Sequence, residues 1–174
     1  MPLAKTMIQW VFYPRSKKPT ALSLQVVESF VAAAPQIDST KHNLDSNGVL
    51  GQVAGALRQA GFLVEAGKKK ADKISVPVLF GLNGRVEKSF DADAYHEGEG
   101  FVVEVEAGRG VVNNQFLKDL FQACMMHEVR YLAVAIRNTY AGNNDFERVA
   151  RFFDTLFASN RLKLPLDGIL VIGY

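Results

Sequence analysis

FVVEVEAGRG, residues 101–110, alternates apolar and acidic side chains and then breaks at a glycine-rich turn. In an extended strand successive side chains point to opposite faces. Val102, Glu104 and Glu106 therefore share one face, and Phe101, Val103 and Val105 the other. An unpaired buried carboxylate is severely penalised. Such a strand is either solvated on its acidic face, which is ordinary for an antiparallel sheet, or forms the wall of a site that receives positive charge.

The residues just upstream, SFDADAYHEGEG, favour the second reading. A strand over 89–95 puts Asp91, Asp93 and Tyr95 on one side and Phe90, Ala92 and Ala94 on the other. A short polar turn from His96 to Gly100 brings this strand back beside 101–107 as a hairpin. Asp93 then stands near Glu104 and Glu106. Carboxylates gathered in this way repel one another and their pKa values rise, unless a divalent cation supplies the opposite charge. Mg²⁺ (or Mn²⁺) suits such a set, because Mg²⁺ takes one or two carboxylates and completes its shell with water and substrate phosphates. The chemistry expected is metal-assisted phosphodiester hydrolysis.

Outward from the hairpin, the pattern predicts a mixed sheet with helices packed on it, an α/β (α+β) fold. MIQWVFY (7–13) reads as a strand, and residues 20–34 as a helix stopped by Pro35. Asp45, Ser46 or Asn47 supplies the N-cap of a second helix over 49–60, with Gly61 just past its end. Gly51 and Gly55 weaken that helix and predict close packing against a sheet. FLVEAG, ISVPVLFG, RVEKSFDADAY and FVVEVEAG read as strands, with a tight turn at Leu82-Asn83-Gly84. A helix over 113–128 follows, its apolar stripe carrying Phe116, Leu117, Leu120, Phe121, Cys124 and Met125. YLAVAI (131–136) and GILVIG (168–173) are apolar throughout, as strands covered on both faces are, with a helix over 145–158 between them. One domain is expected, with an N-terminal extension to about residue 46 and a core over 47–174.

The 20 basic and 18 acidic side chains, net charge +2, exclude an overall basic nucleic-acid footprint, so any such surface arises from local clustering. A single cysteine, Cys124, rules out an internal disulfide and fits a reducing compartment. The opening residues are too short and polar for a signal-peptide core, and no run is long enough to span a membrane. A cytoplasmic protein with no membrane partner is expected.

An acid on one strand, an E-x-E pair about ten residues later on the next, then a helix and an apolar strand resemble the PD-(D/E)xK nuclease superfamily. The likeness is to type II restriction endonuclease-like proteins whose usual lysine is replaced. It covers roughly residues 47–138, through Asp93, Glu104, Glu106, AGRGVVNNQFLKDLFQA and YLAVAIRN. The resemblance implies a Mg²⁺-dependent endonuclease acting on double-stranded DNA ahead of RNA, with Asp93 and Glu104 as metal ligands. Glu106 occupies the lysine position, as a second ligand or to place the attacking water, and Lys118 is the candidate charge stabiliser. Relatives act as dimers so that two sites cut two strands, which makes a homodimer an expectation. Ala92 stands where a proline is usual, and the second helix lacks an acid, leaving Asp45 or Glu65 to serve. The rivals are a non-catalytic interaction or nucleic-acid-binding protein on the same scaffold, and a small-molecule domain using the glycine turn.

Other groups carry less. His42, His96 and His127 have no zinc-ligand spacing, and His96 with Glu97 and Glu99 reads as a polar turn. Gly108-Arg109-Gly110 lacks the third glycine of a dinucleotide turn, though Arg109 and a helix start near Asn113 and Asn114 suit a phosphate. Lys68, Lys69, Lys70 and Lys73, with Arg15, Lys17 and Lys18, form local basic clusters fit for salt-dependent phosphate contacts.

Overall fold

The structure is a computed structural model that describes residues 7–108 and 111–174. It contains strands β1 (Gln9–Tyr13), β2 (Leu63–Val64), β3 (Ile74–Phe80), β4 (Val86–Ala92), β5 (Ala94–His96), β6 (Phe101–Glu106), β7 (Tyr131–Ile136) and β8 (Gly168–Gly173). The helices are α1 (Ala21–Ile37), α2 (Ser46–Gln59), α3 (Gln115–Met125) and α4 (Asp145–Ser159). Six strands form one mixed sheet in the order β1-β8-β7-β6-β5-β2, while β3 and β4 pair as a separate antiparallel hairpin. β6, β7 and β8 run parallel, and the outer pairings are antiparallel.

Two apolar layers sandwich the sheet. On one side α1 and α2 bring Val26, Phe30, Val53 and Leu57 onto Val103, Val105, Ala133 and Leu170. On the other, α3 and α4 bring Phe116, Leu120, Val149 and Phe153 onto Val102, Leu132, Val134 and Val171. The parallel strands are buried on both faces, which is why β7 and β8 carry no polar residue. Among the described residues no helix is long and apolar enough to cross a membrane.

The helix ends follow local chemistry. Thr20 caps α1, its side chain accepting from Ser23 N at 3.1 Å. Asp45 is the cap of α2, accepting from Gly48 N at 2.7 Å. Pro35 does not stop α1 as expected. It sits in the last turn, and the Asp38 amide still reaches Ala34 O at 3.0 Å. Gly51 and Gly55 also differ from expectation: both are exposed, with open space where a side chain would stand. α2 meets the sheet through Val49, Leu50, Val53, Ala54 and Leu57 instead. The stripe on α3 is rotated too, burying Phe116, Asp119, Leu120 and Ala123 while Phe121 and Met125 are exposed. The N-terminal segment is woven into the sandwich, since β1 pairs with β8 and α1 shares the core of α2.

The run expected as one strand through Asp93 is two. β4 ends at Ala92 in the layer under α3, and β5 starts at Ala94 in the layer under α1 and α2. The alternation is thus broken at Asp93, where the chain bends out of the hairpin and into the main sheet.

Candidate active site

That bend makes Asp93 the meeting point of three strand pairings. β2 and β5 pair Val64 with Ala94, and the next residue continues the ladder, Glu65 N donating to Asp93 O at 2.8 Å. β5 and β6 pair Ala94 with Val103, so one further step sets Glu104 across from Asp93. Val105 N donates to Asp93 Oδ2 at 2.8 Å, holding the carboxylate against β6. β3 and β4 pair Ile74 with Ala92, and one further step sets Lys73 across from the same aspartate.

The acidic face of β6 is not solvated. Glu104 is 8% exposed, and its register partner Val134 belongs to the core under α3 and α4. Asp119, projecting from α3 onto the same face, is 6% exposed. Burial raises the pKa of all four central acids, the charged form being deprived of water. Glu104 is pushed well above the usual carboxylate range by desolvation and by Asp93. Glu106 is pushed up to about 9 by desolvation and by its hydrogen bond with Asp119. Asp93 rises to about 6, desolvation outweighing its bond from the Val105 amide. Asp119 also rises through desolvation, opposed by its bond from Glu106. The acids thus sit as two pairs, Glu104 with Asp93 and Glu106 with Asp119, and in each pair desolvation favours retention of a proton.

The donor set suits a hard divalent cation. It offers only carboxylate oxygens, and buried Asp119 Oδ2 has no hydrogen-bond partner. Among the described residues no group of three or more His, Cys, Asp or Glu side chains is already gathered to hold a metal. Mg²⁺ takes one or two carboxylates from protein, and Asp93 and Glu104 are the adjoining pair that could supply them.

The remaining candidates are distributed around this centre. Glu106 is half-buried at the end of β6, and Lys118 is an exposed residue of α3. The Lys118 charge lowers the pKa of Glu106 and Asp119 from a distance. Glu65, not Asp45, is the acid beside the cluster, because the Asp45 carboxylate is spent as a helix cap. Asp91 is exposed. His96 Nδ1 accepts from Glu99 N at 3.1 Å within the hairpin turn, a structural role. Gly108 adopts φ +102° against the Tyr140 ring, while Arg109 and Gly110 lie outside the described residues. Asn113 and Asn114 have left-handed backbone, and α3 has no side-chain cap.

A cleft of about 660 Å³ lies elsewhere, lined by Gln9, Arg15, Asp38, Asn138, Arg151 and Asp154 among others. Its arginines are paired, Arg15 with Asp154 at 2.8 Å and Arg151 with Glu147 at 2.5 Å. The acid cluster is the better candidate: among the described residues Asp93, Glu104, Glu106 and Asp119 form no ion pair, and Glu104 and Asp119 are buried.

No protein-family profile and no curated protein matches this chain. The residues missed by sequence reasoning were Asp119 and the partnership of Lys73 with Glu65. Asp119 had a readable signal, since it precedes Leu120 and lies three residues from Phe116 on one helical face. Lys73 had none, because only the folded loop brings it to Asp93.

Proposed function

We propose that this protein is a divalent-metal-dependent nuclease of restriction endonuclease-like architecture, hydrolysing phosphodiester bonds of double-stranded DNA. The observation that carries this reading is a set of four acids with raised pKa values around β6, Glu104 and Asp119 buried and Asp93 and Glu106 half-buried. Keeping such acids buried costs stability in the cation-free protein, and a cation offsets that cost. Mg²⁺ or Mn²⁺ bound by Asp93 and Glu104 would polarise the phosphoryl oxygen and lower the pKa of a bound water.

The chain's own groups do the rest. Asp119 holds the Glu106 carboxyl in place, and Glu106 orients the attacking water and takes its proton once its own has been released. The water oxygen bonds to phosphorus, one P–O ester bond breaks, and the departing oxygen takes a proton from solvent. Lys118, at the rim, offsets negative charge as the anionic backbone approaches. Two copies acting as a homodimer would cut both strands.

Cleavage of supercoiled plasmid in Mg²⁺ and in Mn²⁺ tests the proposal. The wild type is expected to nick and linearise DNA, with Asp93→Ala and Glu104→Ala each reduced at least about 10²-fold, the usual loss when a stabilising group is removed from such a centre. Wild-type protein inert with both metals while binding DNA would point to the non-catalytic scaffold.

A further inference from the structure

Lys73 is the cation built into this acidic site. It closes the loop after β2, in which Ala66 N donates to Asp72 O at 3.2 Å and Lys73 N to Lys70 O at 3.3 Å. Those bonds fix the backbone at the start of β3, one register step from Asp93. The Lys73 ammonium donates to the Glu65 carboxylate. The Glu65 side chain is only 7% exposed and that of Lys73 is 31% exposed. Asp91 and Asp93 also favour its charged form. Lys118, by contrast, is exposed and donates no hydrogen bond to Glu106 or Asp119.

Resting on the nuclease reading above, we propose that Lys73 is a catalytic residue of this site, its ammonium binding a non-bridging oxygen of the scissile phosphodiester, with Glu65 as its positioning residue. A phosphodiester entering beside so many carboxylates is repelled unless a fixed positive charge meets it. An ammonium has three donors, so Lys73 keeps Glu65 while reaching a phosphate. Its stem is half-buried, which removes much of the ordering cost of an exposed lysine. Glu106, at the end of β6, supplies no positive charge, and the hairpin strand supplies it from the opposite side of Asp93.

Single-turnover cleavage and DNA binding in Ca²⁺ are measured for wild type, Lys73→Met, Lys73→Arg and the double variant Glu65→Gln/Lys73→Met. The double variant guards against misfolding from an unpaired buried Glu65. Expected is a loss of about 10²–10³-fold in the cleavage rate for Lys73→Met and the double variant, partial recovery in Lys73→Arg, and a salt slope of DNA binding smaller by about 1 without the lysine. Lys163→Met removes an equal charge from an exposed position after α4 and keeps the wild-type cleavage rate. An active wild type with Lys73→Met and the double variant within about threefold of it, and an unchanged salt slope, overturns the role of Lys73 alone. A wild type that neither cleaves nor binds metal overturns the nuclease reading and this role with it.

Discussion

Glu106 stands where the resemblance expects a lysine, and its surroundings give a glutamate there a defined state. Desolvation and Asp119 push its pKa up to about 9, so in the folded protein without metal it is a neutral acid at pH 7. In the unfolded chain a glutamate releases its proton near pH ~4.3. Between those values the folded state binds the extra proton, and stability falls as pH rises. Asp93, raised to about 6, adds to the fall over the lower part of that window. Thermal unfolding in EDTA should therefore show the midpoint declining from pH 5 to pH 9. Glu106→Gln, which cannot ionise, should flatten the decline between pH 6 and 9 and raise the midpoint at pH 8. Each kcal/mol gained corresponds to about 2–4 °C for a chain of this size. A midpoint that climbs with pH across this range would contradict the raised pKa values of these acids.

The β5–β6 hairpin depends on backbone geometry that only small residues supply. Gly100 ends its turn at φ +60°, and an added Cβ would lie 2.3 Å from Glu128 O. Its carbonyl also receives Arg130 N at 2.8 Å and Tyr131 N at 3.0 Å, tying the hairpin to the start of β7. Gly100→Ala should cost more than about 1–2 kcal/mol, the left-handed penalty alone, because the clash is with backbone that cannot step aside. Chemical denaturation checks this, and a loss under about 0.5 kcal/mol, the scale of an ordinary surface substitution, would show the turn to be adjustable. The hairpin was legible in the sequence through the His96–Gly100 turn and the alternation of β6. The bend at Asp93 was not, because DADA alternates perfectly on paper. Only competition between two sheets for Ala92 and Ala94 breaks it. The stripe on α3 differs from its sequence pattern for a related reason: Phe121 and Met125 look like core residues, yet the helix face on the sheet buries Asp119.

At the scale of the whole molecule, the order of strands explains why the site lies where it does. β7 and β8, apolar on both faces, take the middle of the sheet, and both were plain in the sequence. β6 sits beside them but has a short antiparallel neighbour, β5, and along it Glu104 and Glu106 face Asp119 of α3 instead of core residues. What the sequence could not convey was the joining of a second sheet, β3–β4, at that same point. It sends Lys73 and Glu65 to opposite sides of Asp93 across a loop that reads as a run of solvated lysines. The separation of acids into two proton-sharing pairs is a property of this assembled state, and it yields the most direct test of the account. Mn²⁺ is titrated calorimetrically into the protein at pH 7.5 in buffers of different ionisation enthalpy. Saturable binding is expected, releasing about one proton or more per metal ion and disappearing in Asp93→Ala and Glu104→Ala. Absence of binding heat, or binding unchanged in those variants, would contradict it.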